Sequence, residues 1–83
     1  MKLRFHKTAS KELSRLHPSD ARRIRKKLRL LQADGLKAPL DIKRLTNSED
    51  YRLRVGGIRV IFHVDGDEIL ILAIRPRGKA YRP

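Results

Sequence analysis

Leu3 and Phe5 alternate with Lys2, Arg4 and His6, the two-residue period of a short strand with one buried face. Ala9, Leu13 and Leu16 then fall on one stripe of a helix over residues 9–16, with Thr8 placed to cap it. His17-Pro18-Ser19-Asp20 interrupts that helix. Pro18 suits the first turn of a second helix, and Asp20 suits its positive N-terminal end. Ala21, Ile24, Leu28 and Leu31 form the apolar stripe of this second helix, and Gly35 is its stop signal. No period runs through residues 36–50, where only a short extended piece at 42–45 fits. Three strands follow, over 51–55, 58–64 and 68–75, joined by Gly56-Gly57 and Asp65-Gly66, which tolerate positive φ. The pattern predicts one α+β domain over residues 1–83. Its order is βααβββ: a small antiparallel sheet of about four strands, one face covered by a helical hairpin.

Register sharpens the 51–64 hairpin. If Gly56-Gly57 is a two-residue turn, Val55 pairs with Ile58 and Arg54 lies opposite Arg59. Like charges directly opposite on paired strands are destabilising, and an anion bound between them reverses the sign. Arg52 shares that face. Leu53, Val55, Ile58, Val60, Phe62 and Val64 take the other, towards the helices. By the same parity Ile61, Leu70, Leu72 and Ile74 join the arginine face as an apolar strip, which needs the 36–50 loop or a partner chain to cover it. Glu68 and His63 fall near its far end. The bland reading of the arginines is a solvated outer face.

The charge balance carries the anion argument further. Twenty-one Lys plus Arg against nine Asp plus Glu give a net charge of +12. Such a chain is matched to polyanions: nucleic acid, an acidic protein or an anionic membrane surface. On helix 2 the cations Arg22, Arg23, Arg25, Lys26, Lys27 and Arg29 lie largely outside the apolar stripe. There is no cysteine, which removes disulfides and thiolate metal sites. The longest apolar run, Ile69 to Ile74, is too short to span a membrane, and the first residues lack the apolar core of a signal peptide. A cytoplasmic protein is expected, with no metal or organic cofactor. Past the last strand, Arg77-Gly78-Lys79-Ala80-Tyr81-Arg82 sets a tyrosine among cations, a pairing that can stack on a base or orient a ribose hydroxyl. His6 and His17 read as incidental.

These residues, taken in order, resemble the RelE side of the RelE/ParE toxin superfamily of toxin–antitoxin pairs. The likeness lies in Leu45, in Tyr51-Arg52-x-Arg54-x-Gly56-x-x-Arg59 and in Arg77-x-x-x-Tyr81, and it covers nearly the whole chain. RelE-like toxins cleave mRNA in the ribosomal A site without a metal, the 2′-hydroxyl attacking the adjacent phosphate. The resemblance implies that Arg59 holds the scissile phosphate, with Arg54 bordering the reacting group. It further implies that Arg77 neutralises or protonates the leaving oxygen, and that Tyr81 orients the attacking hydroxyl or stacks on a base. Arg52, Arg75, Lys79, Arg82 and His63 would bind RNA. Arginines stand at 52 and 54 where relatives often carry lysine, so they supply charge rather than a base. Tyr81 and His63 remain as bases, and Arg75 competes with Arg77 for the C-terminal arginine's role. The implied partners are the ribosome, mRNA and a cognate antitoxin with an acidic, partly helical segment. Two rivals are a ParE-like inhibitor of DNA gyrase without nuclease activity and a non-enzymatic nucleic-acid-binding module.

Overall fold

A computed structural model describes residues 1–76. Arg77, Lys79, Tyr81 and Arg82 lie outside the described residues. The elements run β1 (Lys2–Phe5), α1 (Lys7–Ser14), α2 (Pro18–Asp34), a one-turn 3-10 helix (Gly35–Lys37), β2 (Asp41–Arg44), β3 (Tyr51–Val55), β4 (Ile58–Asp65) and β5 (Glu68–Pro76).

The sheet has five strands in the order β1-β5-β4-β3-β2, one more than the four expected. The extra strand is the extended piece expected at 42–45, which runs instead over Asp41–Arg44 and pairs antiparallel with β3. After β1 the helical hairpin carries the chain to the opposite edge, and the antiparallel run β2-β3-β4-β5 brings it back. The helical hairpin starts β2 in the direction opposite to β1, and three antiparallel steps turn β5 back to the direction of β1, so these two strands pair in parallel, with Leu3 beside Ile69 and Phe5 beside Ile71. The sheet is therefore mixed, not wholly antiparallel.

One face of the sheet packs on the helices. Ala21, Ile24, Leu28 and Leu31 of α2, with Ala9 and Leu13 of α1, meet Leu53, Val55, Ile58, Val60, Phe62, Ile69, Ile71 and Ile74 in one buried cluster. Tyr51 stacks on Phe62 at its edge, ring centroids 5.5 Å apart. Leu40 and Ile42 also pack against this cluster, so the 36–50 segment supports the helix side and the sheet's outer edge. The apolar strip on the other face is not covered by it: Ile61, Leu70 and Leu72 stay half-buried.

Two local expectations change. Each helix is capped by a histidine: His6 Nδ1 accepts from the Thr8 N–H at 3.1 Å, and His17 Nδ1 accepts from the Ser19 N–H at 3.2 Å. An imidazole lone pair thus does the work of a hydroxyl cap, α1 starts two residues earlier than expected, and Thr8 lies inside it. Ile74, expected on the arginine face, is fully buried in the core. Register explains this. Ile61 pairs with Ala73 but Phe62 pairs with Ile71, leaving Leu72 as the extra residue of a β-bulge. A bulge shifts side-chain parity by one residue, sending Ile74 to the helices and Arg75 to the open face.

Candidate nucleic-acid interface

The open face of the sheet is built from the turn outward. Gly56 adopts φ +60 and opens the two-residue connection between β3 and β4. A methyl group there would also come within 3.3 Å of Arg23 Nη1, so this glycine keeps the helix-2 guanidinium against the hairpin tip. The turn sets Val55 opposite Ile58 and Arg54 opposite Arg59, the register expected from sequence. On the far side of β4, Arg75 lies opposite Arg59, and beyond β3, Asp41 lies opposite Arg54. Asp41, Arg54, Arg59 and Arg75 thus form one row across four strands. The three arginines span two strand spacings, about 10 Å at the backbone.

Charge pairing divides this row. Asp41 Oδ1 lies 3.5 Å from Arg52 Nη2, and the Arg52 side chain is only 12% exposed. Glu12 Oε2 accepts from Arg75 Nε at 3.1 Å. Arg52 and Arg75 therefore already have anionic partners. Arg54 and Arg59 are exposed, face each other, and among the described residues no acid lies within ion-pair distance of either. Two exposed guanidinium groups in cross-strand register, with acids only at the flanks, are an arrangement that suits a compact, multiply charged oxyanion such as a phosphate.

His63 stands apart from this row. It follows Arg59 by four residues on the same strand, a backbone separation of about 13 Å. Its Nδ1 lies 2.8 Å from Asp50 Oδ1, and Asp50 is held in turn by Ser48 Oγ, which accepts from its N–H at 2.9 Å. Nearby, Arg4 Nη1 reaches Glu68 Oε1 at 3.4 Å. An open hollow of about 610 Å³, lined by Arg44, Leu45, Asn47, Ser48 and Glu49, also lies at this end of β2. Among the described residues no three His, Asp or Glu side chains converge as a metal ion would require.

Sequence reasoning placed Arg54 and Arg59 together, and the structure does the same. Arg75 joins them through the bulge, Arg52 is drawn off by Asp41, and His63 is not brought to the row. The residues it missed are the acids. Asp41 fell one residue outside the extended piece expected at 42–45; with the strand starting at Asp41, it lies opposite Arg54. Glu12 had none, because it reaches Ile74 and Arg75 from 62 and 63 residues away.

A model of the ParE toxin of type II toxin–antitoxin systems (parDE) matches residues 3–81. The chain belongs to this toxin family. Its fold is RelE-like. The structure of the RelB–RelE antitoxin–toxin complex from Methanococcus jannaschii superposes with a TM-score of 0.81 at 30% identity, covering 94% of each chain. The archaeal RelE–RelB complex from Pyrococcus horikoshii OT3 gives 0.80 at 28% identity, over 94% of this chain and 96% of that one. The isolated E. coli RelE toxin gives 0.79 at 16% identity, over 96% and 87%, a likeness of fold alone. No curated protein matches the chain by sequence. Among the described residues, no helix of the toxin is long and apolar enough to cross a membrane.

Proposed function

We propose that this toxin is a RelE-type endoribonuclease that cleaves mRNA on the ribosome. The observation that carries the reading is the Arg54–Arg59 pair, two exposed guanidinium groups in direct cross-strand register with, among the described residues, no acid within ion-pair distance of either. In the proposed reaction the ribose 2′-oxygen bonds to the adjacent phosphorus and the bond from phosphorus to the 5′-oxygen breaks. The 2′-hydroxyl proton passes to a base, and the departing 5′-oxygen takes up a proton. The products are a cyclic phosphate and a 5′-hydroxyl end. Arg59 and Arg54 hold the phosphate and stabilise the charge that grows on it, the kind of fixed electrostatic aid that phosphoryl chemistry uses most. Arg77 neutralises the leaving oxygen, and Tyr81 orients or deprotonates the hydroxyl; Lys79 and Arg82 hold flanking RNA. The distance along β4 counts against His63 as the base, and the reading gives that role to Tyr81.

The proposed partners are the ribosome, mRNA and a cognate antitoxin. The matched archaeal structures are toxin–antitoxin complexes, and a net charge of +12 favours an acidic antitoxin segment. In this reading the chain acts as one domain in the cytoplasm. The second reading, a gyrase inhibitor that performs no chemistry, draws on the ParE family match over residues 3–81. Primer extension on a translated message tests the first and a supercoiling assay tests the second. Cleavage that Arg59→Gln abolishes supports the nuclease; loss of supercoiling without cleavage supports the inhibitor.

A further inference from the structure

We propose that Glu12 is the internal counterion of the site. It fixes the end of β5 and withholds Arg75 from RNA, so that Arg54 and Arg59 are the phosphate ligands on the sheet and Arg75 is a brace. The inference rests on the nuclease reading only for its rate effect.

The geometry begins where β1 stops. The last bond from that strand's end to β5 is donated by the His6 N–H to the Ile71 carbonyl at 2.8 Å. Beyond it the chain turns into α1, and β5 continues to Pro76 with, among the described residues, no strand at that edge. Glu12 fills the gap. Its Oε1 accepts from the Ile74 N–H at 2.8 Å, replacing the missing strand carbonyl. Its Oε2 accepts from Arg75 Nε at 3.1 Å, one residue further on. One carboxylate thus serves two consecutive residues, and its side chain is only 22% exposed.

That placement has a purpose only because of the bulge. Leu72 shifts the parity of β5, Ile74 enters the core and Arg75 lands opposite Arg59. A third free guanidinium would then stand on the row, next to two that already repel each other. Glu12 cancels that charge and pins the strand from which residues 77–83 depart. A carboxylate bound to Arg75 also disfavours a phosphate at the same guanidinium, both by occupying it and by like-charge repulsion.

The test uses the full chain and a short single-stranded RNA carrying 2′-O-methyl groups, which cannot be cleaved. Each phosphate contact contributes about 0.7 to the slope of log affinity against log salt for single strands, a factor of about 2.6 across a fourfold rise in salt. Arg59→Gln is expected to reduce the slope by about 0.7. Glu12→Gln frees Arg75 and is expected to steepen it by up to about 0.7, giving tighter binding. The double variant Glu12→Gln/Arg75→Gln removes a pair that was already neutral and keeps the wild-type slope. In the translation assay Glu12→Gln lowers the cleavage rate at saturating toxin although it binds RNA more tightly, a split that simple destabilisation does not produce. Amide exchange at Ile74 quickens in Glu12→Ala and much less in Glu12→Gln. The proposal is overturned if the double variant loses as much slope as Arg59→Gln, if Glu12→Gln leaves the slope unchanged, or if Ile74 exchange ignores both substitutions. Absence of cleavage by the wild type, with the slopes as expected, removes the nuclease reading and leaves Glu12's role standing.

Discussion

The open face of the sheet has two ends, built from the same strands and the same kinds of residue, and they treat charge in opposite ways. At the end near Asp65 and Glu68, Arg4 meets Glu68 and His63 meets Asp50. At the end near Gly56-Gly57, Arg54 and Arg59 face each other with, among the described residues, no acid in ion-pair distance, and the acids present pair with their neighbours: Asp41 with Arg52 and Glu12 with Arg75. At the first end, Arg4 and His63 each already have an acidic partner. The second is complete only when an anion arrives. Net charge alone does not make a site, since both ends are rich in cations; the arrangement of the acids does.

The predictions test that contrast, beginning with the largest effect. Phe62→Ala removes a fully buried ring beneath β4 and is expected to cost about 3–5 kcal/mol in chemical denaturation, abolishing both ends together. Arg59→Gln should act on one end only. Cleavage of a translated message should fall by about 10²- to 10³-fold, as when one charge-stabilising donor is lost, while the melting temperature holds or rises as the repulsion across β3 and β4 is relieved. Gly56→Ala is expected to cost about 1–2 kcal/mol, because φ +60 places its new methyl in the left-handed region. Its methyl asks only a small shift of the flexible Arg23 guanidinium, so the loss should appear in chemical denaturation. His63→Asn removes the imidazole that contacts Asp50 at the far end and should change stability by about 1 kcal/mol or less in the same denaturation experiment.

Much of the unfinished end was legible in the chain. Gly56-Gly57 determines the turn, the turn determines the register, and alternation around it assigns Leu53, Val55, Ile58, Val60 and Phe62 to the core and Arg54 and Arg59 to the opposite face. The helical stripes were equally plain, since Ala21, Ile24, Leu28 and Leu31 are all buried. What stayed hidden has physical causes. The run from Ile69 to Ile74 is apolar throughout, so a parity break at Leu72 leaves no mark in it. The parallel pairing of β1 with β5 depends on the direction in which the helical hairpin starts β2 as well as on the number of strands between them, and β2 carried too weak a pattern to be counted. Histidine caps resemble surface histidines in sequence. Glu12 becomes meaningful only when the end of β1 and the position of Arg75 are both known.

The contrast between the two ends is tested most directly by primer extension on one translated message with wild type, Arg59→Gln and His63→Asn side by side. Cleavage by the wild type, its loss in Arg59→Gln, and a change of less than about threefold in His63→Asn is the predicted result. Equal cleavage by wild type and Arg59→Gln, or loss of cleavage in His63→Asn, would contradict the account, because the working charge would then lie at the end where every partner is already in place.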